Sequence, residues 1–102
     1  MIKLRTIIID DEQDCINLLK FELQQHCPQI EVVATFQSST KALNEMEMFD
    51  PQLVFLDIEM PEMNGIELLN LLKTPVQIII VSSKDKYALN AFEYDVTDYL
   101  LK

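Results

Sequence analysis

The 102 residues of this chain are 49% hydrophobic and 25% charged, the balance of a folded soluble domain, enough for one core but not for two. A formal net charge of −9 argues against a direct grip on DNA or on an anionic membrane, while remaining compatible with a divalent cation. No apolar run approaches the roughly 20 residues that a membrane-crossing helix needs, and Met1-Ile2-Lys3-Leu4-Arg5 leads into a strand rather than a signal peptide.

The first predicted strand is Arg5–Ile9, β-branched and apolar on both faces, and it ends on Asp10-Asp11-Glu12. From about Gln13 to His26, Ile16, Leu19 and Leu23 recur at helical spacing with Cys15 and Leu18 alongside, until Cys27-Pro28 stops the helix. Cys15 and Cys27 stand at its two ends, about 18 Å apart at ~1.5 Å per residue and beyond disulfide reach. Free thiols without a secretion signal point to the cytoplasm. Ile30–Phe36 reads as a second strand. Ser38, Ser39 or Thr40 can cap a short helix with Ala42, Leu43 and Met46 inward, broken at Asp50-Pro51.

Leu53–Leu56 is a third strand, apolar on both faces as a central parallel strand must be, and it stops on Asp57. The chain then turns through Pro61 and Gly65, the only glycine, at a place where a positive φ is easiest for glycine. Ile66, Leu68, Leu69, Leu71 and Leu72 make a third helix ended at Thr74-Pro75. Val76–Val81 is a fourth strand ending on Ser82-Ser83. Lys84–Tyr94 reads as a fourth helix and Thr97–Leu101 as a fifth strand, followed by Lys102. Strands alternating with helices imply a doubly wound parallel sheet with right-handed crossovers.

Asp10, Asp11, Asp57, Ser82 and Lys102 all stand at the carboxyl ends of predicted strands, the edge where open α/β sheets bind ligands. Singly, each has a plain alternative: a helix cap for Asp11, Asp57 or Ser82, a solvated terminus for Lys102. Together, at one edge of the sheet, they point to a reaction centre. Converging carboxylates repel one another, and Mg²⁺, which prefers hard oxygen ligands, relieves that repulsion. A carboxylate is also a nucleophile toward phosphorus, Lys102 offers a mobile positive charge, and Ser82 offers a hydroxyl donor.

Asp10-Asp11, Leu56-Asp57-Ile58-Glu59-Met60-Pro61, Asn64-Gly65, Val81-Ser82 and Asp98-Tyr99-Leu100-Leu101-Lys102 resemble, in order and spacing, the receiver domain of two-component response regulators. The resemblance runs over residues 1–102. It implies a five-stranded sheet in the order 2-1-3-4-5, with Asp57 as phosphoacceptor loaded by a sensor histidine kinase. It further implies Mg²⁺ held by Asp11, Asp57 and the backbone carbonyl of Glu59, with Asp10 acting through water. Ser82 and Lys102 would contact the phosphoryl group, and Ser82 and Tyr99 would move on activation. Ser83 departs from the small residue usual in the family after Ser82. Tyr87–Phe92 followed by Asp98–Lys102 is similar to receivers that carry a LytTR-type DNA-binding domain, so DNA would be met only through that absent output domain, with no membrane contact.

Glu59 and Lys84 lie two residues beyond Asp57 and Ser82 and can lean over the phosphoryl group, setting its lifetime; their alternative is two solvated surface residues. Receivers continue through a proline into a fifth helix, so the chain reads as one truncated after its fifth strand. Five strands at ~4.8 Å span about 20 Å, whereas one helix is ~10–12 Å wide, so the face bearing only the first helix would be half bare and would favour a homodimer. Two rivals remain. An aspartyl-phosphate phosphatase of the haloacid dehalogenase type would place an Asp-x-Asp after its first strand, whereas here Asp57-Ile58-Glu59 follows the third. A pseudo-receiver acting without phosphorylation would have lost an acid or the lysine.

Overall fold

The computed structural model describes residues 3–72, 76–82 and 98–101, the last three through their backbone. Within them run β1 (Leu4–Ile9), α1 (Gln13–His26), β2 (Ile30–Phe36), α2 (Ser39–Glu45), β3 (Leu53–Leu56), α3 (Gly65–Leu71), β4 (Gln77–Ser82) and β5 (Asp98–Leu101). All the pairings are parallel and the sheet order is β2-β1-β3-β4-β5. This is the expected doubly wound topology. The predicted helix Lys84–Tyr94 lies outside the described residues.

Alternation along the strands divides the core into two. Ile7, Ile9, Val54, Leu56, Ile78 and Ile80 pack with Ala42 and Met46 near α2 and with Leu68 of α3. On the other face, Ile8, Leu53 and Phe55 pack with Ile16 and Leu23 of α1. Ile7, Ile8 and Ile9 are all at most 2% exposed. Full burial of each such side chain contributes roughly 1.5–3 kcal/mol, so β1 anchors both layers. Leu18, alongside the stripe of Ile16, Leu19 and Leu23 in the sequence of α1, is 62% exposed, and Phe21 on the same helix is 56% exposed.

The crossovers use local chemistry. Ser38 proves to be the cap of α2, its hydroxyl accepting from the Lys41 N–H. A 3₁₀ turn, Met46–Phe49, then leads to Asp50, whose φ of 49° makes it the one non-glycine residue in the left-handed region among those described. The Arg5 guanidinium donates to the carbonyls of Phe49 and Asp50 and so ties this turn to β1.

Gly65 corrects the expectation of a positive φ, since no glycine here has one. The glycine is required by proximity instead. A Cβ at this position would stand 2.7 Å from the Asp57 carbonyl oxygen and 2.8 Å from the Ile58 Cα. The Gly65 N–H also donates to the Ile58 carbonyl at 2.7 Å, pulling the start of α3 onto the turn after β3. No described helix is long and apolar enough to cross a membrane.

Candidate functional site

Two strand ends bring the acids together. β1 and β3 are neighbours, with Ile9 opposite Leu56, so the residues that follow each strand emerge side by side. The Asp57 N–H donates to the Ile9 carbonyl at 2.9 Å and the Asp10 N–H to the Phe36 carbonyl at 3.0 Å, which continues the ladder into the loops. The carboxylates of Asp10, Asp11 and Asp57 consequently present oxygens that all lie within 4.8 Å of one another. Asp10 and Asp57 are each only 5% exposed, and Asp11 is half-buried.

Burying carboxylates is costly unless their oxygens are hydrogen-bonded or meet a cation. Part of that requirement is met by backbone. Asp10 Oδ1 accepts from the Glu12 N–H at 2.9 Å, and Asp57 Oδ1 accepts from the Glu59 N–H at 3.3 Å. Each bond spans two residues, the geometry by which an Asp side chain organises its own turn. The three acids supply hard oxygen donors at the spacing of a small divalent cation site, a chemistry that suits Mg²⁺. A second group, Asp10, Glu12 and Cys15, also comes within 4.8 Å and places a thiol beside the acids.

Ser82, the last residue of β4, is fully buried at the same sheet edge. Glu59 is exposed, its N–H bonded to Asp57 as above. The Tyr99 backbone pairs with Ile80, while its side chain, with Ser83, Lys84 and Lys102, lies outside what is described. The structure thus brings together Asp10, Asp11 and Asp57, with Ser82 two strands from β1 across β3.

Residues 6–102 match the response regulator receiver domain. The chain belongs to that family. An uncharacterized response regulatory protein of Vibrio cholerae is 41% identical over 97% of the chain, and the sensory transduction protein LytT of Bacillus cereus is 36% identical over 97%. The receiver spans about 42% and 41% of those two proteins' lengths. Among solved structures, the response regulator domain of Thermotoga maritima CheB superimposes with a TM-score of 0.89 at 28% identity, covering 98% of this chain and 78% of its own. Thermotoga maritima TrrA, solved in complex with Mg²⁺-BeF, gives a TM-score of 0.83 at 29% identity, covering 97% of this chain and 86% of its own. The family's role is that of a phosphoryl-accepting signalling switch.

One group of side chains at this receiver's site escaped the reading of the sequence. Gln37, Ser38, Thr40 and Glu62 link the loops that carry the acids: Gln37 Nε2 donates to the Asp11 carbonyl at 3.3 Å, and the Ser38 and Thr40 hydroxyls donate to Glu62 at 2.9 and 3.2 Å. Their only sequence signal was the Ser-Ser-Thr run, which marked a helix cap.

Proposed function

We propose that Asp57 is the phosphoacceptor of this receiver, loaded by the phosphohistidine of a sensor kinase. The observation that carries this is Asp57 at the end of the central strand with Asp10 and Asp11 within 4.8 Å, in a chain matched to the family over residues 6–102. In the transfer, an Asp57 carboxylate oxygen forms a bond to phosphorus as the bond from phosphorus to the histidine nitrogen breaks. The leaving electron pair returns to the imidazole, and Asp57 becomes an acyl phosphate.

Asp10, Asp11, Asp57 and the backbone carbonyl of Glu59 would hold Mg²⁺, Asp10 through water. Bound there, the cation supplies charge neutralisation for the acids and the phosphoryl oxygens. The Glu59 N–H holds Asp57 Oδ1 and so orients the nucleophile. Ser82 and Lys102 would donate to phosphoryl oxygens. Ser82 and Tyr99 would report the modification by moving, and Glu59 with Lys84 would screen the acyl phosphate from water.

Kinship with LytT and the receiver's share of its relatives' lengths support a longer cytoplasmic regulator whose LytTR-type output domain meets DNA and controls transcription. Exposed Leu18 and Phe21 support pairing of receivers. The test is incubation with acetyl phosphate and Mg²⁺ followed by intact-mass measurement. One phosphoryl adduct, lost in Asp57→Asn, is expected. Steady hydrolysis of the donor would identify a phosphatase, and no adduct would identify an interaction module.

A further inference from the structure

We propose that the turn Gln37–Thr40 is a brace that holds the two acid-bearing loops at a fixed separation, with Glu62 as a positioning residue for the Asp57 site. The inference rests on the reading of Asp10, Asp11 and Asp57 as a Mg²⁺ and phosphoryl site, and it adds residues that carry no role in that reading.

The brace has two arms. One reaches the loop after β1, where the Gln37 side-chain amide donates to the Asp11 carbonyl at 3.3 Å. The other reaches the loop after β3, where Glu62 accepts from Ser38 Oγ at 2.9 Å and Thr40 Oγ1 at 3.2 Å, one carboxylate oxygen each. Ser38 and Thr40 also lie 3.0 Å apart. Each hydroxyl has one proton, so with both protons directed at Glu62 neither is left for that third contact. A charged acceptor forms the stronger bond, so the carboxylate takes both. Ser38 meanwhile accepts from the Lys41 N–H, which locks its oxygen to the start of α2. The base of the brace is continuous with the sheet through the Asp10 N–H on the Phe36 carbonyl.

The geometry links the brace to the chemistry in a short stretch of chain. Glu62 lies three residues after Glu59, whose N–H holds Asp57 Oδ1. Between them, Met60 is buried and its N–H donates to the Ile58 carbonyl at 3.1 Å, while Gly65 fastens the far end of the loop to the same carbonyl. The loop is therefore pinned at both ends, and Glu62 adds a polar tie to the turn before α2 beside the packing of Met60 in the core. Without that tie, the Glu59 amide has fewer constraints holding it on Asp57, and the acids lose their set spacing.

Hydrogen exchange at the Glu59 amide in the metal-free chain reads the brace directly, and Mg²⁺ titration by calorimetry reads its consequence. Glu62→Ala should speed exchange at Glu59 while leaving the β1 and β3 amides unchanged, and should weaken Mg²⁺ binding roughly three- to tenfold, as loss of two modest hydrogen bonds allows. Glu62→Gln removes the charge and keeps one acceptor oxygen for the two hydroxyl donors, so it should recover part of both losses. Thr40→Val should give a smaller effect than Glu62→Ala in the same direction. Unchanged Glu59 exchange in Glu62→Ala overturns the brace, as does Glu62→Gln behaving like Glu62→Ala, which would assign the effect to charge alone. If the native chain itself takes up no Mg²⁺ while the exchange effect is present, the metal reading fails and the brace stands as a structural tie.

Discussion

At Gly65 two opposing effects meet. Gly→Ala within a helix ordinarily stabilises by up to about 1 kcal/mol, because alanine loses less backbone freedom on folding. Here the added Cβ would stand 2.7 and 2.8 Å from backbone atoms of Asp57 and Ile58, in a turn pinned by the Asp57 N–H on the Ile9 carbonyl and by the Met60 and Gly65 N–H groups on the Ile58 carbonyl. Overpacking of this kind costs about 1–3 kcal/mol, so the clash wins. Gly65→Ala is expected to lower the denaturant midpoint in metal-free buffer; an unchanged or higher midpoint would show that the turn yields. A second residue-scale expectation concerns the acids. Because Asp10, Asp11 and Asp57 sit within 4.8 Å, a cation that binds only the folded site should raise stability, by about 1.4 kcal/mol at ten times its dissociation constant. Asp11→Asn removes one charged ligand and should abolish most of that gain. Melting curves with and without millimolar Mg²⁺ decide it, and a native chain indifferent to Mg²⁺ would count against the site.

Among the elements, α3 carries a reciprocal cap. Its seven residues are too few to be stable as an isolated helix, so its formation rests on Leu68 in the core and on the reciprocal box in which Glu67 N–H donates to Asn64 Oδ1 at 2.9 Å and Asn64 N–H to Glu67 Oε1 at 3.2 Å. Asn64→Ala should cost about 1 kcal/mol, seen as a lower melting temperature, and Asn64→Ser should restore most of it. That cap was not read from the sequence, but much of the surrounding fold was legible there because it is local. The β-branched runs of β1 and β4 and the Leu53–Leu56 block announced buried strands, and carboxylates breaking those runs announced the site edge. What was not legible depends on approach across the fold. Asn64-Gly65 reads as a turn in one dimension, and only the packing of α3 on the β3 turn shows that Gly65 yields space rather than supplying a positive φ. Glu62 meets hydroxyls 22 and 24 positions earlier in the chain, at no periodic spacing. Leu18 stands two residues from Ile16, on the far side of α1 from the stripe of Ile16, Leu19 and Leu23, so it is exposed while Leu19 packs against the core.

For the molecule as a whole, the α1 face is where association should occur. Ile8, Leu18, Leu19, Phe55 and Val81 line a cavity of about 260 Å³, and Asp10 and Asp57 also stand on its wall. An apolar cavity of ~150 Å³ suffices for benzene, so this one can admit a side chain from outside. Phe21 stands one helical turn from Leu18 and is likewise exposed, so one face carries both a projection and a recess. A surface of that kind can meet its own copy about a two-fold axis, each Phe21 or Leu18 approaching the other's recess. Opposing this, each chain carries a net charge of −9, and two copies repel at low salt. Salt shortens that repulsion to about 10 Å at 0.1 M while sparing the apolar contact. The dimer should therefore strengthen as salt rises, opposite to one held by ion pairs. Sedimentation equilibrium over a range of concentration and salt is expected to show this trend, with Leu18→Asp and Phe21→Asp both shifted to monomer. Pairing through the segment 84–101 instead would be indifferent to either substitution. A native chain that remains monomeric at high concentration and high salt would remove the dimer from this face.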